Sequence, residues 1–280
     1  MKTMEAIHEV REIIGDIHGE VWTDERILTA LNSIIEKTFK IVYLANPILG
    51  SFLKNVSKSS LEYTDEGYIW KMPRNILHID RIYYGITAIP DIPSLDSKCP
   101  NVLDGWYYSR KTPNAIVIPG EFDFTVRYFP RKIKMFVGTS GNDATATTTQ
   151  YWKVGTLTLG ELSGGDENMY ENHFVTLTHN NMDFTERVIA NTRPQGQVSI
   201  FTVANAREIQ ANDIIQTETP FNGLFDNDIS IMTAYQLTIK EGHRRGQEAL
   251  YERYQEAFEN IRMTAANLGD GGPDMVEEVC

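Results

Sequence analysis

Residues 23–39, Thr-Asp-Glu-Arg-Ile-Leu-Thr-Ala-Leu-Asn-Ser-Ile-Ile-Glu-Lys-Thr-Phe, decide the first reading of the fold. Thr23 is a good N-cap, because its hydroxyl can accept from an otherwise unpaired backbone N–H of the first turn. Asp24 and Glu25 follow, where negative charge suits a helix start. Ile27, Leu28, Leu31, Ile34, Ile35 and Phe39 then recur at three- and four-residue spacing. The spacing predicts an amphipathic helix of about five turns, stopped by Asn46-Pro47. Upstream, Ile7, Val10, Ile13, Ile14 and Ile17 predict a second helix over 4–17, with Gly19 interrupting.

Helical character returns over 226–266, with Gly242 and Gly246 as breaks costing about 1 kcal/mol each relative to Ala. Leu250, Tyr254, Phe258 and Ile261 form an apolar stripe there, suited to intramolecular packing and also to docking a partner. Gly269-Asp-Gly-Gly-Pro273 ends the helix, and 267–280 reads as a mobile acidic tail.

Between the helices the period falls to two. Strands are predicted at 68–72, 76–84, 106–108, 115–118 and 122–129. In the last of these, Phe122, Phe124, Val126 and Tyr128 alternate with polar residues. Pro119-Gly120 suggests a hairpin between the final two. Pro90, Pro93 and Pro100 mark an irregular excursion. The aromatics Trp70, Tyr83, Tyr84, Trp106, Tyr107, Tyr108, Phe122, Phe124, Tyr128 and Phe129 concentrate in this region and suit a core or an interface.

Residues 136–222 differ in character. Gly138-Thr-Ser-Gly141 and the Thr/Ala run through Gln150 read as a flexible loop. Short strands are expected at 152–159, 174–178, 184–190, 198–203 and 214–217. The turns between them are Ser163-Gly164-Gly165, Asn180-Asn181 and Pro194-Gln195-Gly196. This pattern predicts a small all-β module. Residues 136–228 hold four basic and twelve acidic residues, so this stretch carries most of the chain's charge of −12.

Composition narrows the function classes. A hydrophobic fraction of 41% over 280 residues is that of an ordinary folded protein. No apolar run approaches the roughly 20 residues needed to cross a bilayer, and residues 1–16 lack a signal-peptide core. The chain reads as one made in cytosol, with no membrane partner. Acidity argues against gripping nucleic acid, which rewards a basic face. The cluster Arg127, Arg131, Lys132 and Lys134 fits a solvated strand end better than a phosphate contact. Cys99 and Cys280 are too few for a disulfide framework or a zinc site.

The sequence holds no G-x-S-x-G elbow, H-E-x-x-H pair, Walker loop or EF-hand loop. Gly138-Thr-Ser-Gly141 lacks the lysine of a phosphate loop. His173, His179 and Asp183 are the best metal candidates, since even spacing presents both histidines on one strand face, but a surface role fits this Thr/Asn-rich segment better. His78 and Asp80 fit ordinary cross-strand contacts better than acid–base work. No catalytic, cofactor or metal residues are therefore expected.

The order of phrases resembles one family, the head-to-tail adaptor (connector) proteins of tailed bacteriophages. The phrases are Thr23-Asp-Glu-Arg-Ile-Leu28 running into Leu31-Asn32, Trp70-Lys-Met-Pro-Arg-Asn-Ile-Leu-His-Ile-Asp-Arg-Ile82, Phe124-Thr-Val-Arg-Tyr-Phe129, and Tyr251-Glu-Arg-Tyr254 with Ala257-Phe258. They span roughly 20–131 and 224–265. Segment 136–222 departs from the compact pattern and would be an insertion, leaving a related neck or tail-tube role open.

The resemblance implies an α+β fold. Its helical adaptor-like core, N-terminal helices and a long C-terminal helix with short antiparallel strands, would take 1–135 and 223–266. The inserted small all-β module would take 136–222. It implies a non-enzymatic virion protein at the head–tail junction, present in host cytoplasm during assembly. Copies, commonly twelve, would ring the DNA channel beneath the portal, contacting tail or neck proteins while DNA passes without sequence-specific binding. Leu250, Tyr254, Phe258 and Ile261 would dock the portal. Two other readings stay open: a tail-tube, fibre-associated or capsid-decorating subunit with the β module as its binding part, and a hydrolase with an unrecognised carboxylate site.

Overall fold

Both expected N-terminal helices form, α1 as Thr3–Ile14 and α2 as Asp24–Ala45, but α1 ends at a left-handed Gly15, short of the expected residue 17, and leaves Ile17 exposed. Thr23 caps α2, accepting from the Arg26 amide, and Asn46 ends it. Eight strands follow: β1 Phe52–Val56, β2 Glu62–Thr64, β3 Gly67–Lys71, β4 Ile76–Tyr84, β5 Thr87–Ile89, β6 Tyr107–Tyr108, β7 Ala115–Ile118 and β8 Phe124–Pro130. Six more are β9 Phe136–Ser140, β10 Thr147–Gly160, β11 Phe174–His179, β12 Met182–Asn191, β13 Ser199–Ile209 and β14 Ile214–Thr217. Helices α3 Asp226–Lys240 and α4 Gln247–Gly269 close the order. This computed structural model describes residues 1–92, 105–131, 133–141, 147–162, 167–194, 198–240 and 247–269. Cys99, Cys280, Gly242, Gly246, the turns at 163–165 and 195–196, Lys132 and the acidic tail from 270 lie outside them.

The expected α+β fold with a helical adaptor-like core is corrected. The chain is mostly β, 39% strand against 32% helix, with a closed six-stranded barrel and two four-stranded sheets. Strands outweigh helices because several form where side-chain periodicity is silent. β9 includes the Gly138-Thr-Ser segment expected as a loop, and β10 begins inside the Thr run. β1, β2 and β5 are too short to show a period of their own.

The chain divides into two compact units, residues 51–131 and residues 1–50 with 132–280. In the larger unit the barrel runs β10-β13-β12-β11-β14-β9, every described pairing antiparallel. Closure leaves no sheet edge. Its interior is filled by side chains: the rings of Phe136, Tyr170 and Phe201 lie 5.2–5.7 Å apart, beside buried Trp152 and Val154. The helices share a second core with the barrel wall. Ile27, Leu31 and Ile34 of α2, Ile229 and Met232 of α3, and Ile261 and Ala265 of α4 pack in one cluster with Val137 and Leu159. Thr3 pins α1 to the barrel, its hydroxyl 2.8 Å from the Thr217 carbonyl.

The smaller unit is a two-sheet sandwich. Sheet β1-β8-β4-β5 and sheet β2-β3-β7-β6 share a core of Trp70, Trp106 and Ile116 with Ile79, Ile82, Phe124 and Tyr128. Trp70 meets Phe124 edge to face at 5.8 Å. The expected β7–β8 hairpin is corrected as well: β7 pairs with β3 and β6, whereas β8 pairs with β1 and β4. Gly120 does not take the positive φ that a tight primed turn needs. Pro119-Gly120 instead carries the chain from one sheet to the other.

Candidate functional site

The histidines come first, as the strongest candidates for chemistry. His179 ends β11, only 3% exposed, with Nδ1 3.0 Å from Asp213 Oδ2. Its Nε2 lies 2.8 Å from the Asn180 amide nitrogen. Asn180 donates there, so Nδ1 carries the proton and donates to Asp213. Both ring nitrogens are engaged, and Asp213 also accepts from the Gln210 amide. The pair fastens the β11–β12 turn to the loop before β14.

His173 precedes the same strand, about 20 Å away along it. Burial pushes its pKa down to about 4, so the ring is neutral. Asp183 is drawn off by Lys2, at 2.6 Å, and by the Thr178 hydroxyl. The three expected metal candidates therefore do not converge. Among the described residues no group of three His, Cys, Asp or Glu is arranged to hold a metal.

His78 and Asp80 are also separated in role. His78 stacks on Phe129 at 6.2 Å and faces the Tyr108 hydroxyl. Asp80 stands 3.9 Å from Arg127. The Gly138-Thr-Ser segment spends its backbone on the β9 ladders to β10 and β14, so its amides form no phosphate cradle.

In the helical part, Ile13, Ile14, Val21, Trp22, Leu250 and Arg253 line a pocket of about 580 Å³. Beside it, Asp16 closes the turn between α1 and α2. It accepts from the Glu20, Val21 and Trp22 amides and from Arg11, which also bridges to Asp24. Burial pushes the Asp16 carboxyl up, but these donors outweigh it and hold it below the usual carboxylate range. The charge is committed to the fold.

The C-terminal stripe faces inward. Ile261 is fully buried, and Tyr254 and Phe258 pack on the helical core. Leu250 is half-buried at the pocket. The helix thus turns Tyr254, Phe258 and Ile261 toward the core it shares with α2 and α3.

Two features of the smaller unit were not singled out from sequence. The outer face of sheet β1-β8-β4-β5 carries the register row Leu53–Arg127–Arg81, with Asn55–Thr125–Tyr83 beside it. Arg127 lies over the Tyr83 ring at 5.3 Å. A bulge between Ile79 and Arg81 inserts Asp80 into β4 and resets which side chains face outward. The second feature is the β4–β5 hairpin tip. Tyr84 pairs with Thr87, leaving Gly85-Ile86 as a two-residue loop. Gly85 takes φ +57, the conformation that glycine supplies cheaply. Ile86 is completely exposed and Tyr84 is 59% exposed. The signal was present, since Tyr-Gly-Ile-Thr is a tight-turn phrase with an apolar apex, but three strand residues beyond it are too few to announce a hairpin.

Comparison of the chain with protein-family models, with curated proteins and with solved structures finds no match.

Proposed function

We propose that this chain is a structural subunit that assembles with copies of itself, and specifically a head-to-tail adaptor of a tailed bacteriophage. In that role copies form a ring beneath the portal, surround the DNA channel and join it to tail components. The observation that carries the reading is the hairpin tip. A turn apex is ordinarily polar, and a fully exposed Ile contributes nothing to the fold of one chain. Covered by a neighbour it would contribute about 1.5–3 kcal/mol.

The phrases behind the family resemblance lend support, because they meet in pairs. The Trp70–Ile82 and Phe124–Phe129 phrases run through neighbouring strands, β4 and β8. Thr23–Asn32 opens α2, which packs with α4, the helix holding Tyr251–Phe258. The helical-core architecture belonging to that resemblance is not part of the proposal. A net charge of −12 also suits a channel wall along which DNA slides without sticking.

Negative-stain microscopy of the purified chain, alone and mixed with the portal protein of the same phage, tests the reading. Rings, and their seating on portal particles, are expected. Particles no larger than one chain in both samples would contradict it.

A further inference from the structure

Charge is divided unevenly between the two units. Residues 51–131 hold ten Lys/Arg and nine Asp/Glu, whereas the rest of the chain holds sixteen and twenty-nine. Within the near-neutral unit, Arg81 and Arg127 stand directly opposite each other on β4 and β8, the Arg127 side chain only 19% exposed. Like charges so placed repel across a strand pair. Asp80 and the Tyr83 ring offset Arg127. Arg81 is exposed and makes no ion pair among the described residues.

The acidic unit carries the converse arrangement. Glu252 and Glu256 are exposed at i and i+4 on α4, a spacing at which like charges destabilise a helix. Neither makes an ion pair among the described residues. The glutamate pair is unfavourable alone, Arg81 is left without a counter-charge, and the two patches are opposite in sign. Their spacings also agree: facing residues on antiparallel strands are about 4.5–5.5 Å apart, and four residues of helix rise about 6 Å.

We infer that the arginine-bearing sheet face of one copy docks on α4 of the next, with Arg81 and Arg127 meeting Glu252 and Glu256. Leu53, half-exposed in the same row, supplies apolar area beside the charges. Unlike patches meet, so the contact is heterologous, the kind that propagates from copy to copy until rotation closes it into a ring. The inference rests on the self-assembly proposed above and names its surfaces. A nucleic-acid strand is the less suitable occupant, because the acidic remainder of the chain would repel phosphates that two arginines alone must hold.

The test uses two surface variants of the full chain, Arg81→Glu and the double variant Glu252→Arg/Glu256→Arg, with thermal melting to verify folding. Light scattering should show each alone assembling at least about tenfold more weakly than wild type, since like charges now face each other across the contact. Mixed in equal amounts, the two should recover pairwise association, because the unaltered arginine face of the double variant meets the unaltered glutamates of the Arg81→Glu chain. Added salt should weaken the wild-type assembly. Wild-type assembly unchanged by either variant, or no recovery on mixing, would overturn the contact while leaving self-assembly standing. Loss on Arg81→Glu of single-stranded oligonucleotide binding, with assembly intact, would reassign the face to nucleic acid. A wild-type chain that never assembles would remove both proposals together.

Discussion

Asp16 shows how one side chain can hold a helical connection closed. Its carboxylate accepts three backbone amides and the Arg11 guanidinium, and replacing it with Asn removes the charge while leaving Arg11 buried beside Asp24. Asp16→Asn should lower unfolding stability near neutral pH by about 2 kcal/mol, measured by denaturant titration. The sign with pH follows from the depressed carboxyl. Its contribution is full above the ordinary value of 3.8 and is lost as pH falls through the lower folded-state value. Wild type and variant should therefore converge in acid, and a gap that stays constant there would count against this role. Thr23 was legible as a cap because its partner is local. Asp16 was not, because its donors meet it only after the chain reverses.

Among the elements, β9 and β10 are the most informative, since their pairing helps to close the barrel. Their backbones come unusually near each other: a Cβ on Gly155 would lie 2.5 Å from the Gly141 Cα. Gly155→Ala should therefore force the strands apart and destabilise the larger unit by about 1–3 kcal/mol, read as a lowered melting temperature. An unchanged melt would show that the approach is not required. Gly and Thr there suggest a loop in sequence, while the pairing partners that make it a strand lie far along the chain. The helices α1 and α2 were legible because their stripe is a local property. The small all-β module was legible through its short strands and turn signals, but its closure into a filled barrel depends on pairings distant in sequence.

At the scale of the whole molecule, the sequence showed the acidity and its concentration in 136–228, but not that 51–131 is a compact unit near neutrality. The candidate surfaces were similarly hidden. In sequence Arg127 belongs to a basic strand end, and only strand register sets it opposite Arg81. The C-terminal stripe was visible as a stripe, but the core it faces is built from α2 and α3, which its own spacing cannot reveal. In the proposed assembly the hairpin tip and the arginine-bearing sheet do the work of meeting other copies. The most direct measurement is the mass of the dissolved full chain by sedimentation velocity across a concentration series. A discrete species of many chains that grows in with concentration is expected. A single species with the mass of one chain throughout the series would contradict it.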